Sequence, residues 1–180
     1  MALNALQYAI YKGTGGKHGA IQFNFQAPHY YLGKQKDFTG SIACATEADG
    51  KTTMKEGWRI REGAVFLEIT STKGPNVYDW ENKVVMALST DDMGRLLLAL
   101  VSGEECKLMH DPGAKSDAQG AVKKYLAMSS PQGTSAGAIV SVTQVSGGEK
   151  RVHTVPISAS EVIVLRSLLQ AGIAKSLGWL

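Results

Sequence analysis

Between Tyr11 and Phe25 the chain reads YKGTGGKHGAIQFNF, a cluster of glycine, lysine and histidine ahead of two phenylalanines. Two chemistries use such a cluster: a cradle for nucleotide phosphates, or a contact with a polymer of nucleotides. A Walker loop needs Gly, four residues, then Gly-Lys-Ser/Thr, because successive backbone N–H groups curl round the phosphates and the hydroxyl holds magnesium. Here Gly16-Lys17 has Tyr11 at the upstream glycine position and His18 in place of the hydroxyl, which excludes that loop. The dinucleotide fingerprint fails as well: Gly13-x-Gly15 is followed by His18 instead of a third glycine, and a strand pattern follows where a helix is required.

A polymer remains. A protein holds a single nucleic-acid strand without reading its sequence by setting cations for phosphates beside rings for base faces. Lys/Arg interleave with aromatics in four places. Tyr11, Lys12, Lys17 and His18 surround a glycine turn whose backbone can approach phosphate closely, while Phe23 and Phe25 share the face of Ile21 and read as core. Tyr30 and Tyr31 precede Lys34 and Lys36 in a segment without a strong strand pattern, a composition that equally suits a solvated loop. From Gly120 to Met128, Lys123 and Tyr125 share one strand face and Leu126 and Met128 the other. Trp58 and Arg59 form a further pair, although Trp58 also fits a core position.

Catalytic constellations are weaker. His110-Asp111 leads into Pro112-Gly113, a turn in which an aspartate caps its own backbone. Asp79 and Glu81 alternate as on one strand face, but Trp80 and Lys83 beside them describe an ordinary edge with solvated charges. The histidines at 18, 29, 110 and 153 have no metal-ligand spacing, and no serine sits in a G-x-S-x-G elbow. The expectation is a protein that is not an enzyme, with no cofactor, metal or small-molecule substrate.

The elements that must position these residues are mostly strands. Apolar and polar residues alternate in Ile21–Phe25, Val65–Ile69, Val84–Leu88 and Val122–Met128, separated by turn signals such as Asp49-Gly50, Gly74-Pro75-Asn76 and Gly147-Gly148. Two segments break the rhythm. Ser89 stands three residues before Asp92, and Ser158 three before Glu161, the capping box of a helix start. Met93, Leu96, Leu97 and Leu100 then make one apolar stripe, and Val162, Leu165, Leu169 and Ile173 another. At the end, Gly178 reads as a left-handed helix stop, and Trp179 as an anchor folding back onto the second stripe. The fold class is therefore α+β: antiparallel strands then a helix, twice, in a single domain whose internal repeats run over about 1–103 and 104–180.

Length and charge agree with this. With 180 residues the chain suits one core. The net charge of +3 is small, but residues 1–61 carry eight Lys/Arg against four Asp/Glu, so the basicity sits at the front. Cys44 and Cys106 are far apart and read as reduced core residues. The first residues lack a basic, apolar secretory signal or an Arg/Ser-rich transit peptide, and no apolar run approaches a membrane span. A soluble protein of cytoplasm, nucleoid or organelle matrix is expected.

An ordered series of short motifs goes further: Arg61-Glu62-Gly63, Tyr78-Asp79-Trp80, Ala87-Leu88-Ser89, His110-Asp111-Pro112, Gly120-Ala121-Val122-Lys123-Lys124, Val155-Pro156-Ile157-Ser158 with Glu161, and Leu177-Gly178-Trp179. Together, over about two-thirds of the chain, they resemble the Whirly family of single-stranded-DNA-binding proteins, related to the kinetoplastid guide-RNA-binding proteins. The front third departs from the family's KGKAAL strand: Lys12-Gly13 is followed by a glycine-rich insertion before Lys17-His18-Gly19-Ala20-Ile21, and 28–57 is longer than usual. The resemblance implies two four-stranded antiparallel sheets packed crosswise, helices that join four subunits, and single-stranded DNA along the sheet edges, with Lys123 at the family's basic position. It implies little sequence specificity and a role in repair, recombination or genome maintenance. The alternatives are an RNA-binding annealing chaperone and an oligomeric scaffold without nucleic-acid binding.

Overall fold

The computed structural model describes residues 7–13, 18–33, 44–46, 52–54, 57–114, 119–129 and 137–179. In chain order the strands are β1 (Gln7–Tyr11), β2 (Gly19–Gln26), β3 (His29–Gly33), β4 (Cys44–Thr46), β5 (Thr52–Met54), β6 (Gly57–Arg61), β7 (Ala64–Gly74), β8 (Val77–Tyr78), β9 (Val84–Leu88), β10 (Cys106–His110), β11 (Val122–Ser129), β12 (Ala138–Ser146) and β13 (Glu149–Ile157). Helix α1 (Thr90–Ser102) follows β9, and α2 (Ala159–Ser176) follows β13.

Two antiparallel sheets carry the fold. The first runs β1-β2-β7-β9, with the two-residue β8 added to the far end of β7; the second runs β10-β11-β12-β13. The sequence expectation of a four-stranded sheet and a helix, made twice, is what the chain forms. Between β2 and β7 lies an excursion in which β3 pairs with β6 and β4 with β5. Tyr30 and Tyr31, in a segment without strand alternation, thus lie on β3.

Strand alternation puts the apolar residues on the two inner faces. Ile10, Ile21, Ile69 and Met86 of the first sheet and Leu108, Leu126, Val142 and Val155 of the second are buried in one core. Leu96 and Leu100 of α1 and Leu165 and Leu169 of α2 close it. Phe23 is buried as expected, and Phe25 packs against the cluster from its margin. Cys106 is a buried free thiol.

Both helices start as their sequences require. The Ser89 side chain accepts from the Asp92 N–H while Asp92 accepts from the Ser89 N–H, and Ser158 and Glu161 do the same at α2. Gly103 ends α1 in the left-handed region at φ 77°, where a Cβ would be strained.

Two expectations are corrected. Asp79 and Glu81 do not alternate on a strand: Trp80–Asn82 forms one turn of 3-10 helix with Asp79 ahead of it. This turn gathers both carboxylates on Lys73, at 3.0 and 3.3 Å, and Asn82 donates to Asp79. Trp179 does not fold onto the α2 stripe but is 72% exposed. Gly178, at φ 72°, turns the chain so that the Trp179 N–H reaches the Ala174 carbonyl at 2.9 Å, and this backbone closure directs the indole outward.

Candidate nucleic-acid interface

The outer face of the second sheet is built by alternation. Because Leu108, Leu126, Val142 and Val155 point into the core, their neighbours point out. Register then sets these neighbours in rows: Met109 lies opposite Tyr125, Tyr125 opposite Thr143, and Thr143 opposite Val152. Met109 is 58%, Tyr125 41% and Val152 50% exposed, an apolar and aromatic row across all four strands. One step away, Lys123 lies opposite Val145 and Val145 opposite Lys150, which sets an exposed cation at each side. On the other flank Lys107 lies opposite Ala127, with its ammonium 2.7 Å from Glu105 at the strand's entrance. No outward position of these four strands carries an acid. Such a face repels no phosphate and offers a ring and a thioether to base faces.

A groove adjoins it where the sheets meet. Phe66, Val85 and Ala87 from the outer side of the first sheet face Met109, His110, Pro112 and Lys124, enclosing about 490 Å3. Lys124 spans the corner: its ammonium donates to the Val85 carbonyl at 2.6 Å. Burial pushes this amine below the ordinary lysine value. His110 Nε2 lies 3.1 Å from Asp92 Oδ2, which also accepts from the Ser89 backbone and hydroxyl. Burial opposes ionisation of Asp92, but the His110 and Ser89 hydrogen bonds overcome it and hold the carboxyl at about 2. Asp111 caps the next turn as expected, accepting from the Gly113 and Gly120 N–H groups at 3.0 and 2.8 Å.

The opening stretch lies on the first sheet. Tyr11 ends β1 with its ring 54% exposed, 5.2 Å from the Tyr78 ring and 6.5 Å from Trp80, centroid to centroid. Lys12 is held: its ammonium sits 2.7 Å from the Glu161 carboxylate that caps α2. Burial resists ionisation of Glu161, while Lys12 and Ser158 draw its pKa down on balance. The Gly13 N–H donates to the Tyr78 hydroxyl at 3.0 Å, and a Cβ there would stand 2.6 Å from that oxygen, so a larger residue would displace the Tyr78 ring. His18 is exposed at the entrance of β2. Lys17, Lys34 and Lys36 lie outside the described residues. Tyr30, Trp58 and Arg59 are placed by backbone pairing, Tyr30 opposite Ile60 on β3 and β6, Trp58 opposite Leu32 and Arg59 opposite Tyr31.

Lys123 and Tyr125 are thus brought together on the second sheet, and Tyr11, Lys12 and His18 at one end of the first. Sequence reasoning missed Met109, Val152, Lys124, Tyr78 and Trp80 as companions of these residues. Met109 and Val152 join the Tyr125 row only through cross-strand pairing, a signal that becomes legible once the strands are in register. Lys124 and the ring cluster come together through contacts between distant segments, for which the sequence holds no local sign.

Two antiparallel sheets and two helices thus carry basic, ring-bearing outer strands, and among the described residues no group of His, Cys, Asp and Glu could hold a metal ion. A family profile, described as Whirly transcription factor, matches residues 45–168, and the chain belongs to the Whirly family. Among curated relatives it is 30% identical over 161 residues to the chloroplastic single-stranded DNA-binding protein WHY3 of Arabidopsis thaliana, covering 85% of this chain and 59% of that one. It is 27% identical over 121 residues to the mitochondrial single-stranded DNA-binding protein WHY2 of the same plant, covering 66% and 50%. To the chloroplastic single-stranded DNA-binding protein WHY1 of Solanum tuberosum it is 29% identical, covering 66% and 43%. The chain spans about half the length of these relatives. Its fold matches the crystal structure of WHY3 from Arabidopsis thaliana with a TM-score of 0.71 at 23% identity, covering 97% and 89%. It matches the plant transcriptional regulator PBF-2 with 0.70 at 23%, covering 99% and 86%. Among the described residues no helix is long and apolar enough to cross a membrane.

Proposed function

We propose that the chain binds single-stranded DNA with little sequence preference and, as a homotetramer, protects exposed strands during DNA repair, recombination or genome maintenance. The observation that carries this reading is the acid-free outer face of the second sheet, with Tyr125 and Met109 between Lys123 and Lys107. A single strand exposes base faces that a duplex hides, and phosphates bound by lysine release their counterions. Shielding a strand from re-pairing and nucleases then follows from occupancy alone. The contacting residues are Lys123 and Tyr125 on this face and Tyr11, Lys12 and His18 at the end of the first sheet, with Lys17, Tyr30, Lys34, Lys36, Trp58 and Arg59 as further candidates.

The tetramer is supported by apolar side chains that the single chain leaves in water. Leu98 and Val101 of α1 are 63% and 58% exposed, and Ile163 and Val164 of α2 are 65% and 45% exposed. Helix faces of this kind are covered in homo-oligomers. The relatives named above work in chloroplasts and mitochondria, and an organelle matrix suits this chain also.

Titration with labelled oligothymidylate tests the reading. Affinity should fall steeply as salt rises, and Lys123→Ala with Tyr125→Ala should weaken binding roughly tenfold or more at unchanged oligomer size. Unchanged affinity in that variant removes these residues from the interface. Tighter binding of RNA of equal length would instead favour an annealing chaperone, and no binding even at low salt would leave a protein scaffold.

A further inference from the structure

We propose that Lys124 captures the aldehyde of an abasic site in a bound single strand as a reversible Schiff base, inside the groove where the two sheets meet. The proposal rests on the reading of the chain as a single-strand binder and adds to it a covalent, stoichiometric hold on damaged strands.

Strand alternation sends Lys124 to the inner side of β11 with Leu126 and Met128, while Lys123 and Tyr125 stand on the outer side. Near the start of the strand that inner position meets β9 of the other sheet, and the ammonium donates to the Val85 carbonyl at 2.6 Å. Other lysines of the fold are held by acids. Lys12 lies 2.7 Å from Glu161, Lys83 2.6 Å from Glu68 and Lys107 2.7 Å from Glu105, and Lys73 is shared by Asp79 and Glu81. A carboxylate at such a distance favours the protonated amine. Lys124 is held by a neutral carbonyl instead, and burial lowers its pKa with no acid opposing the shift. Once neutral, the amine can still donate one N–H to Val85 and keeps its lone pair for the groove.

The groove supplies the rest. Phe66, Val85, Ala87, Met109 and Pro112 give it largely apolar walls around about 490 Å3. A lysine desolvated in such surroundings is the kind that adds to carbonyl carbon. Met109 belongs both to these walls and to the exposed row with Tyr125, so a strand lying on that row passes the mouth of the groove. An intact strand offers an amine neither an aldehyde nor a ketone. A strand that has lost a base does, because its deoxyribose opens to an aldehyde at C1′, and the missing base removes the bulk that would keep C1′ from the amine. The Nζ lone pair adds to C1′, the carbinolamine loses water, and a C=N bond replaces the C=O bond. No oxidant or cofactor is consumed, and water reverses the step.

The test is reductive trapping with cyanoborohydride, using the full chain and a single-stranded oligonucleotide that carries one abasic site. The reductant is present from the start, since loss of a C2′ proton from the iminium to solvent would expel the 3′ phosphate and break the strand. Wild type should give a denaturant-stable adduct with the abasic strand and none with an intact strand or with one carrying a tetrahydrofuran in place of the open sugar. Lys124→Arg keeps the charge and a donor for Val85 but has no such nucleophile, so it should lose most of the adduct while binding the intact strand as before. Peptide mass mapping of the reduced wild-type adduct should place the sugar on Lys124, and this decides the matter even if the variant fails to fold. Undiminished adduct in Lys124→Arg, an adduct mapped to Lys123 or another amine, or no adduct from a wild type that binds the intact strand overturns the capture and leaves single-strand binding standing. A wild type that binds neither strand overturns both.

Discussion

Asp92 shows how much one carboxylate can do. It completes the α1 capping box, accepts from Ser89 twice and meets His110 across the sheet–helix boundary. Its pKa is about 2 in the fold against an ordinary 3.8, so folding favours the ionised form. The stability it supplies is complete above about pH 4 and is lost as pH falls towards 2, an amount of about 2 kcal/mol. Urea midpoints at pH 5 and pH 3 should therefore converge in Asp92→Asn, which is weakened at pH 5 and has less to lose below it. His153 adds to the same loss of stability on acidification, at a higher pH, because the fold favours its neutral form. It is buried with Nδ1 2.8 Å from the Ser71 hydroxyl, and burial first, then Arg151, pushes its pKa down. The unfolded chain binds that proton more readily, so stability is present above the ordinary histidine range and declines as pH drops below about 6.5. His153→Gln should flatten the part of the urea-midpoint profile between pH 7 and 5.5.

At the level of elements, the close approach of α2 to the first sheet sets the tolerance to substitution. Gly63 donates to the Ser176 carbonyl at 3.0 Å, and a Cβ on it would stand 2.5 Å from the Gln26 carbonyl and 3.1 Å from the Ser176 Cα. Backbone on both sides cannot yield cheaply, so Gly63→Ala should cost roughly 1 to 3 kcal/mol, read as a lower thermal midpoint with the spectrum of the folded chain retained. Elements were largely legible in the sequence, because alternation and capping boxes are local signals: β2, β7, β9, β11 and both helix starts follow from residues within one segment. Contacts between segments were not. The sequence shows Lys12 as a free cation, but Glu161, far along the chain, holds it; it shows Tyr78 and Trp80 as parts of a motif, but only the return of the chain through β8 to the end of β1 brings them to Tyr11. Lys123 and Tyr125 were legible as a pair, since one strand carries both.

For the whole molecule, the exposed helix residues and the strand-binding faces make a joint prediction. If the proposed tetramer forms through these faces, Leu98→Asp with Val101→Asp should lower the mass seen by sedimentation, because charge enters the apolar patches left open on α1. Affinity for a short oligonucleotide should change little, whereas that for one long enough to reach several protomers should drop, as linked sites lose their effective concentration. The bare row of outward residues on the second sheet has one more implication. With no carboxylate to discriminate, charge alone treats heparin or inorganic polyphosphate much as it treats a phosphodiester chain, so such polyanions should compete strongly in dilute buffer. At higher salt, where counterions mute every polyanion alike, only a ligand that can lay flat rings against Tyr125 should keep its hold.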